Sequence, residues 1–226
     1  MLRERVEPRI SVNKLGEYAA TNNATRRRRI ILDQKKPKPY IPSIYSEAQD
    51  FMADYLLGNE NKDNLLHKVD DFQNAAASTD WCETRNKVCA EALLSFADFA
   101  EEINLNGCEL TKGQQDSPKL QVENVDVSVR PEIFVTKRKR SGEIISGAVK
   151  LHVIKNNTMS DAAGAYTATT LEQFVETHLP YSCARRLCFV VDVFEQRVFI
   201  APRSYKRLRK DIRASCEEIN RAWHEL

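Results

Sequence analysis

The chain has 226 residues, with 34 Lys or Arg against 32 Asp or Glu, a formal net charge of +2. Hydrophobic residues make up 42% and charged residues 29%, the profile of a globular chain long enough to bury a sizeable core. Seven glycines and eight prolines exclude a collagen-like or low-complexity architecture, and no apolar run reaches the roughly 20 residues of a membrane span.

Residues 1–40 form a basic N-terminal segment. Met1-Leu2-Arg3-Glu4-Arg5 lacks the apolar stretch of a signal peptide, so the cytoplasm is the expected compartment. Ser11 or Asn13 opens a short helix through Tyr18, and Thr21-Asn22-Asn23-Ala24-Thr25 breaks it. Arg26-Arg27-Arg28-Arg29-Ile30-Ile31 reads as helix behind a Thr25 cap, and Lys35-Lys36-Pro37-Lys38-Pro39 ends it. Residues 41–79 form a helical subdomain. Its first helix spans Ser43 to Leu57 and carries Ala48, Phe51, Met52 and Tyr55 on one stripe; its second spans Lys62 to Asn74 around Leu65, Val69 and Phe72.

Residues 80–226 form the core. A helix from Asp80 to about Ile103 buries Cys89, Ala92, Leu93, Phe96 and Phe99. The period then changes to two. Val125, Val127, Val129, Ile133 and Val135 alternate with Asp126, Ser128, Arg130 and Glu132, as one strand with an apolar and a polar face. Thr136–Glu143 is a turn, and Ile145–Ile154 returns as a second strand with Val149, Leu151 and Val153 on one face and Ala148, Lys150 and His152 on the other. The two form an antiparallel hairpin. Ser160 caps a helix to His178, Leu187–Val193 and Arg197–Ala201 are strands, and a helix from Ser204 closes the chain. The fold class is mixed α/β (α+β) behind a helical N-terminal region.

Face parity puts Glu132 and Lys150 on the same side of the hairpin. A carboxylate that binds a divalent cation beside a lysine that orients water is a constellation for phosphodiester chemistry. A plain cross-strand ion pair has the same spacing. The element order, with Pro131-Glu132 on one strand and Lys150 on the next, resembles the PD-(D/E)xK nuclease superfamily over residues 80–226. The resemblance implies a restriction-endonuclease-like mixed sheet flanked by helices, catalytic roles for Glu132 and Lys150, and Mg²⁺ or Mn²⁺ as cofactor. The superfamily's second acid, two residues before the lysine, is replaced here by Ala148. Glu91, on the helix before the strands, is the favoured substitute metal ligand beside Glu132; Asp126 lies too far along an extended strand, and His152 is a third candidate.

Half of the basic residues fall in four runs: Arg26–Arg29, Lys35–Lys38, Lys137–Arg140 and Arg203–Arg213. Arg26, Arg27, Arg28, Arg29, Lys137, Arg138, Lys139 and Arg140 are the expected nucleic-acid contacts, the last four at the hairpin tip. The six cysteines (Cys82, Cys89, Cys108, Cys183, Cys188, Cys216) include no C-x-x-C pair and the four histidines no H-E-x-x-H, so neither zinc nor an iron–sulfur cluster is expected. Phosphate-loop, dinucleotide and nucleophile-elbow motifs are missing as well. The expectation is a metal-dependent nuclease or nuclease-derived DNA-processing subunit, of the kind used in phage defence or mobile-element maintenance. The alternatives are a non-catalytic nucleic-acid-binding or assembly subunit and a protein-interaction adaptor. Nucleic acid, DNA first, is the expected partner, a larger protein complex a further one, and a membrane is not.

Overall fold

A computed structural model describes residues 4–37, 44–114 and 116–226. The expectations placed on Met1–Arg3, on Lys38 and Pro39 and on Ser43 lie outside the described residues. The architecture is mixed α/β, with seven α-helices and two mixed sheets among the described residues.

Side-chain caps set most helix starts. Ser11 Oγ accepts from Lys14 N and opens α1 (Val12–Ala20). The next cap is Asn23, two residues before the expected Thr25: its Oδ1 accepts from Arg26 N at 3.0 Å, and α2 runs Ala24–Lys35. Then come α3 (Ser46–Leu56), α4 (Lys62–Asn74) and α5 (Asp80–Ala97). The helix expected to reach Ile103 ends at Ala97, and a single 3₁₀ turn covers Ala100–Glu102.

The strand expected across 125–135 is two strands in different sheets. Its first part, β4 (Val125–Ser128), pairs in parallel with β1 (Arg9–Ser11) and antiparallel with β3 (Lys119–Val122). Its second part, β5 (Ile133–Arg138), lies between β2 (Glu109–Lys112) and β6 (Ile144–His152). Pro131 has no N–H to give to a ladder, and the chain changes sheets there. The second sheet has the order β2-β5-β6-β7-β8, with β7 Ser182–Asp192 and β8 Arg197–Ile200. β5 and β6 form the expected antiparallel hairpin, Ile133 opposite Val149. β6 and β7 are parallel, joined by α6 (Asp161–His178), and α7 (Tyr205–Glu225) closes the chain.

This sheet is covered on both faces. Val149, Leu151 and Val153 pack with Ile133 and Val135 against α3, α4 and α5. Ala148 packs with Cys188 and Val190 into the core formed by α1, α2, α6, α7 and the smaller sheet. The β6 face expected to be polar is therefore closed over: Ala148 is 0% and His152 2% exposed, as befits a central strand with a parallel neighbour. The first segment belongs to the same core. Ile10, Val12, Leu15, Tyr18, Ile30 and Ile31 share it with Val127, Phe174 and Trp223. Gly16 sets how closely α1 lies on α6, because a Cβ there would overlap Thr167 Oγ1. That close approach carries Asn13, one turn earlier on α1, over β6.

Candidate functional site

β6 runs on past the point where β5 begins. At Pro131 the ladder ends, and the Glu132 side chain replaces it. Glu132 Oε2 accepts from Leu151 N at 2.5 Å, while Glu132 N–H donates to Val149 O at 2.9 Å. Glu132 Oε1 accepts from Lys150 Nζ at 2.5 Å and from Gln49 Nε2 at 2.7 Å. On the other flank, Gly113 N–H donates to Glu132 O at 2.7 Å. The structure thus brings the expected acid and lysine together, with side chains only 14% and 11% exposed. Gln49 was invisible to sequence reasoning, since α3 reaches the pair from 83 residues away.

The other residues weighed as ligands lie elsewhere. Glu91 pairs with Lys155 at 2.8 Å, and its helix α5 packs on the sheet face opposite the one that presents Lys150. Asp126, in the smaller sheet, accepts from Lys119 at 2.8 Å and from Gln121. Its partial burial pushes the carboxyl pKa up, but the Lys119 and Gln121 hydrogen bonds outweigh that and leave it below the ordinary range. His152 is held by two amides. Its Nε2 faces Asn157 O at 2.8 Å, an acceptor only, so Nε2 carries the proton and Nδ1 accepts from Asn13 Nδ2 at 3.1 Å. Burial lowers the His152 pKa, against the Asn157 carbonyl and the Asp192 charge.

Glu91, Asp126 and His152 are thus each engaged away from Glu132. Glu132 is one carboxylate already engaged by three donors, position 148 is an alanine in the core, and among the described residues no group of three His, Cys, Asp or Glu side chains converges.

Of the pair, Lys150 opens onto a cleft of about 480 Å³, while Glu132 does not line it. Lys150, His152 and Gln49 line it, together with Arg5, Arg9 and Arg130, and its lining contains no Asp or Glu. Arg9 and Ser11 reach it from β1, whose alternate residue Ile10 enters the core; Ser128 and Arg130 reach it from β4 and the crossing that follows. Burial, and then the charges of Arg9 and Arg130, lower the Arg5 pKa, so each of these two guanidiniums opposes that of Arg5. A cavity of about 330 Å³ continues from Gln49, Arg130 and Lys150 toward Lys112 and Gln114. Another of about 300 Å³ continues from Asn13 and His152 toward Arg26 and Asn157. The shared residues place the three cavities side by side as a groove at the Lys150 end of the sheet, with Asp50 and Glu132 lining the second and Glu17 the third.

The basic runs are placed differently. Arg26 pairs with Glu17, Arg27 with Glu218 at 3.0 Å, and Arg29 with Asp33 at 3.0 Å, leaving Arg28 exposed without an ion pair among the described residues. At the hairpin tip Lys137 donates to Asn106 O, Arg138 to Gly142 O and Lys139 to Glu143. Arg140 is exposed there. The tip is also at the wrong end for the pair: from Ile133 opposite Val149 to Arg138 opposite Ile144 is five residues, roughly 17 Å. Of the sequence signals, only Arg130 stood beside the acid. Arg5 and Arg9 lacked one, apart from the short alternation Arg9-Ile10-Ser11-Val12 that a strand would produce.

Comparison with models of known protein families finds no match, and comparison with curated proteins finds none either. No helix among the described residues is long and apolar enough to cross a membrane.

Proposed function

We propose that the protein binds nucleic acid, DNA first, through the groove, as a non-catalytic subunit on a restriction-endonuclease-like, PD-(D/E)xK-derived fold. The observation that carries this reading is the acid-free cleft in which Arg5, Arg9 and Arg130 meet beside the Glu132–Lys150 pair. Three guanidiniums without carboxylate partners form a site for phosphate oxygens. The strand order supports the fold reading, with Glu132 at the start of one hairpin strand, Lys150 on the next, and a helix crossing to a parallel neighbour. A role in phage defence or mobile-element maintenance, within a larger complex, remains part of the same proposal.

The Glu132–Lys150 contact favours a second reading, Mg²⁺- or Mn²⁺-dependent cleavage, although the donors around Glu132 are those of one carboxylate. One experiment separates the two. A labelled DNA oligonucleotide is titrated with the protein at about 50 to 200 mM salt, with EDTA or with Mn²⁺. The binding reading expects affinity that falls steeply with salt, persists in EDTA, and drops with Arg130→Glu. Cleavage in Mn²⁺ that disappears in EDTA and in Lys150→Met would establish the nuclease reading. Affinity that ignores both salt and Arg130→Glu would overturn the nucleic-acid assignment.

A further inference from the structure

The cleft carries more positive charge than an internal phosphate needs. Lys150 is matched by Glu132, so the excess lies on Arg5, Arg9 and Arg130, none of which forms an ion pair among the described residues. Arg5 gives one N–H to Gln34 O at 3.0 Å. Asp126 is the acid that bears on Arg9, and Lys119 already holds it. The N-terminus of α1 points the same way. Ser11, Val12 and Asn13 line this cavity; Ser11 Oγ takes the Lys14 N–H and Gln34 Oε1 the Ser11 N–H, and the helix start still directs its positive end into the cleft. A phosphodiester carries one negative charge, whereas a terminal phosphomonoester carries close to two and offers three strong acceptor oxygens. Three guanidiniums around a helix N-terminus match a terminal phosphate together with the phosphodiester next to it. A volume of about 480 Å³ falls within the range of small-ligand pockets.

We infer that this cleft captures the phosphorylated end of a nucleic-acid strand, the terminal phosphate lying among Arg5, Arg9 and Arg130 at the start of α1. The inference rests on the nucleic-acid reading above and specifies which part of the strand is recognised. From the captured end the strand runs past Lys150 into the cavity bounded by Lys112 and Gln114.

The test uses the full chain and one labelled oligonucleotide sequence in three forms: 5′-phosphorylated, 3′-phosphorylated, and hydroxyl at both ends. A nucleoside monophosphate serves as competitor. Anisotropy titration is expected to show one phosphorylated form binding at least about tenfold more tightly than the hydroxyl form, the span of a charge-assisted contact. The two phosphorylated arms tell which end is held. Arg9→Gln, on an edge strand with its side chain out of the core, is expected to reduce that preference below about twofold, and Arg130→Gln to do the same. Circular dichroism checks that both variants fold. Equal binding of all three oligonucleotides would overturn end capture and leave the nucleic-acid reading standing. No binding of any of them would overturn both. A preference that survives both variants would remove the arginines from the site. A nucleoside monophosphate that binds as tightly as the phosphorylated oligonucleotide would replace the strand end with a mononucleotide.

Discussion

Lys150 Nζ lies 2.5 Å from Glu132 Oε1, and both side chains are nearly withdrawn from solvent. Breaking such a pair costs more than its net contribution, because the remaining charge stays buried. Lys150→Met is expected to destabilise the fold by about 3 kcal/mol. The double variant Lys150→Met/Glu132→Gln is expected to lose clearly less than the sum of the single losses, since it leaves no orphaned charge. Urea unfolding of the four proteins measures this. Additive losses would mean that the two side chains are not coupled.

Gly113 holds the other flank of Glu132. A Cβ there would overlap the Pro131 carbonyl, so β2 and the segment bearing Glu132 approach as closely as they do only with glycine at this position. Gly113→Ala is expected to cost about 2 kcal/mol in unfolding free energy, through a forced backbone shift, and to weaken DNA binding by displacing Arg130 and Glu132. Unchanged stability and affinity would show that the loop yields freely.

His152 makes stability depend on pH. Lys150, Lys14, Asp192, Asn13 and Asn157 surround it, and burial prevails over Asp192 and Asn157 to lower its pKa. Between the folded value and the unfolded value of about 6.5, the unfolded chain binds the proton and the folded chain does not. The contribution is therefore fully present above about pH 6.5 and is lost as pH falls below it. Thermal unfolding is expected to show Tm falling from pH 7 toward 5.5, and His152→Gln is expected to flatten that slope. Parallel slopes in the two proteins would place the titration elsewhere.

Much of this arrangement is legible in the residues themselves. The alternation in 132–135 and 149–153 is enough to put Glu132 and Lys150 on one side of a hairpin, and Ser160 announces the crossing helix. The break at Pro131 is hidden because Val129 and Ile133 keep the same parity across it, so two strands in different sheets read as one. Periodicity also reports one element at a time. It does not say that α1 and α6 cover the Ala148 face, nor that Asn13 meets His152 from 139 residues away. The arginine cleft is hidden for the same reason: Arg5, Arg9 and Arg130 meet only because β1 pairs in parallel with β4. The runs Arg26–Arg29 and Lys137–Arg140, by contrast, are largely taken up by Glu17, Glu218, Asp33, Glu143 and backbone carbonyls, whereas in Arg203–Arg213 only Arg209 has an ion-pair partner among the described residues.

The central claim is that the cleft, and not the charge runs, receives the phosphates. The most direct test is the slope of log affinity against log salt for a DNA oligonucleotide, compared among the natural chain, Arg9→Gln, Arg130→Gln and Arg28→Gln. Each cleft arginine that neutralises a phosphate is expected to lower the magnitude of the slope by roughly 0.7 to 0.9 when removed. Slopes unchanged in Arg9→Gln and Arg130→Gln, with a loss confined to Arg28→Gln, would contradict the account.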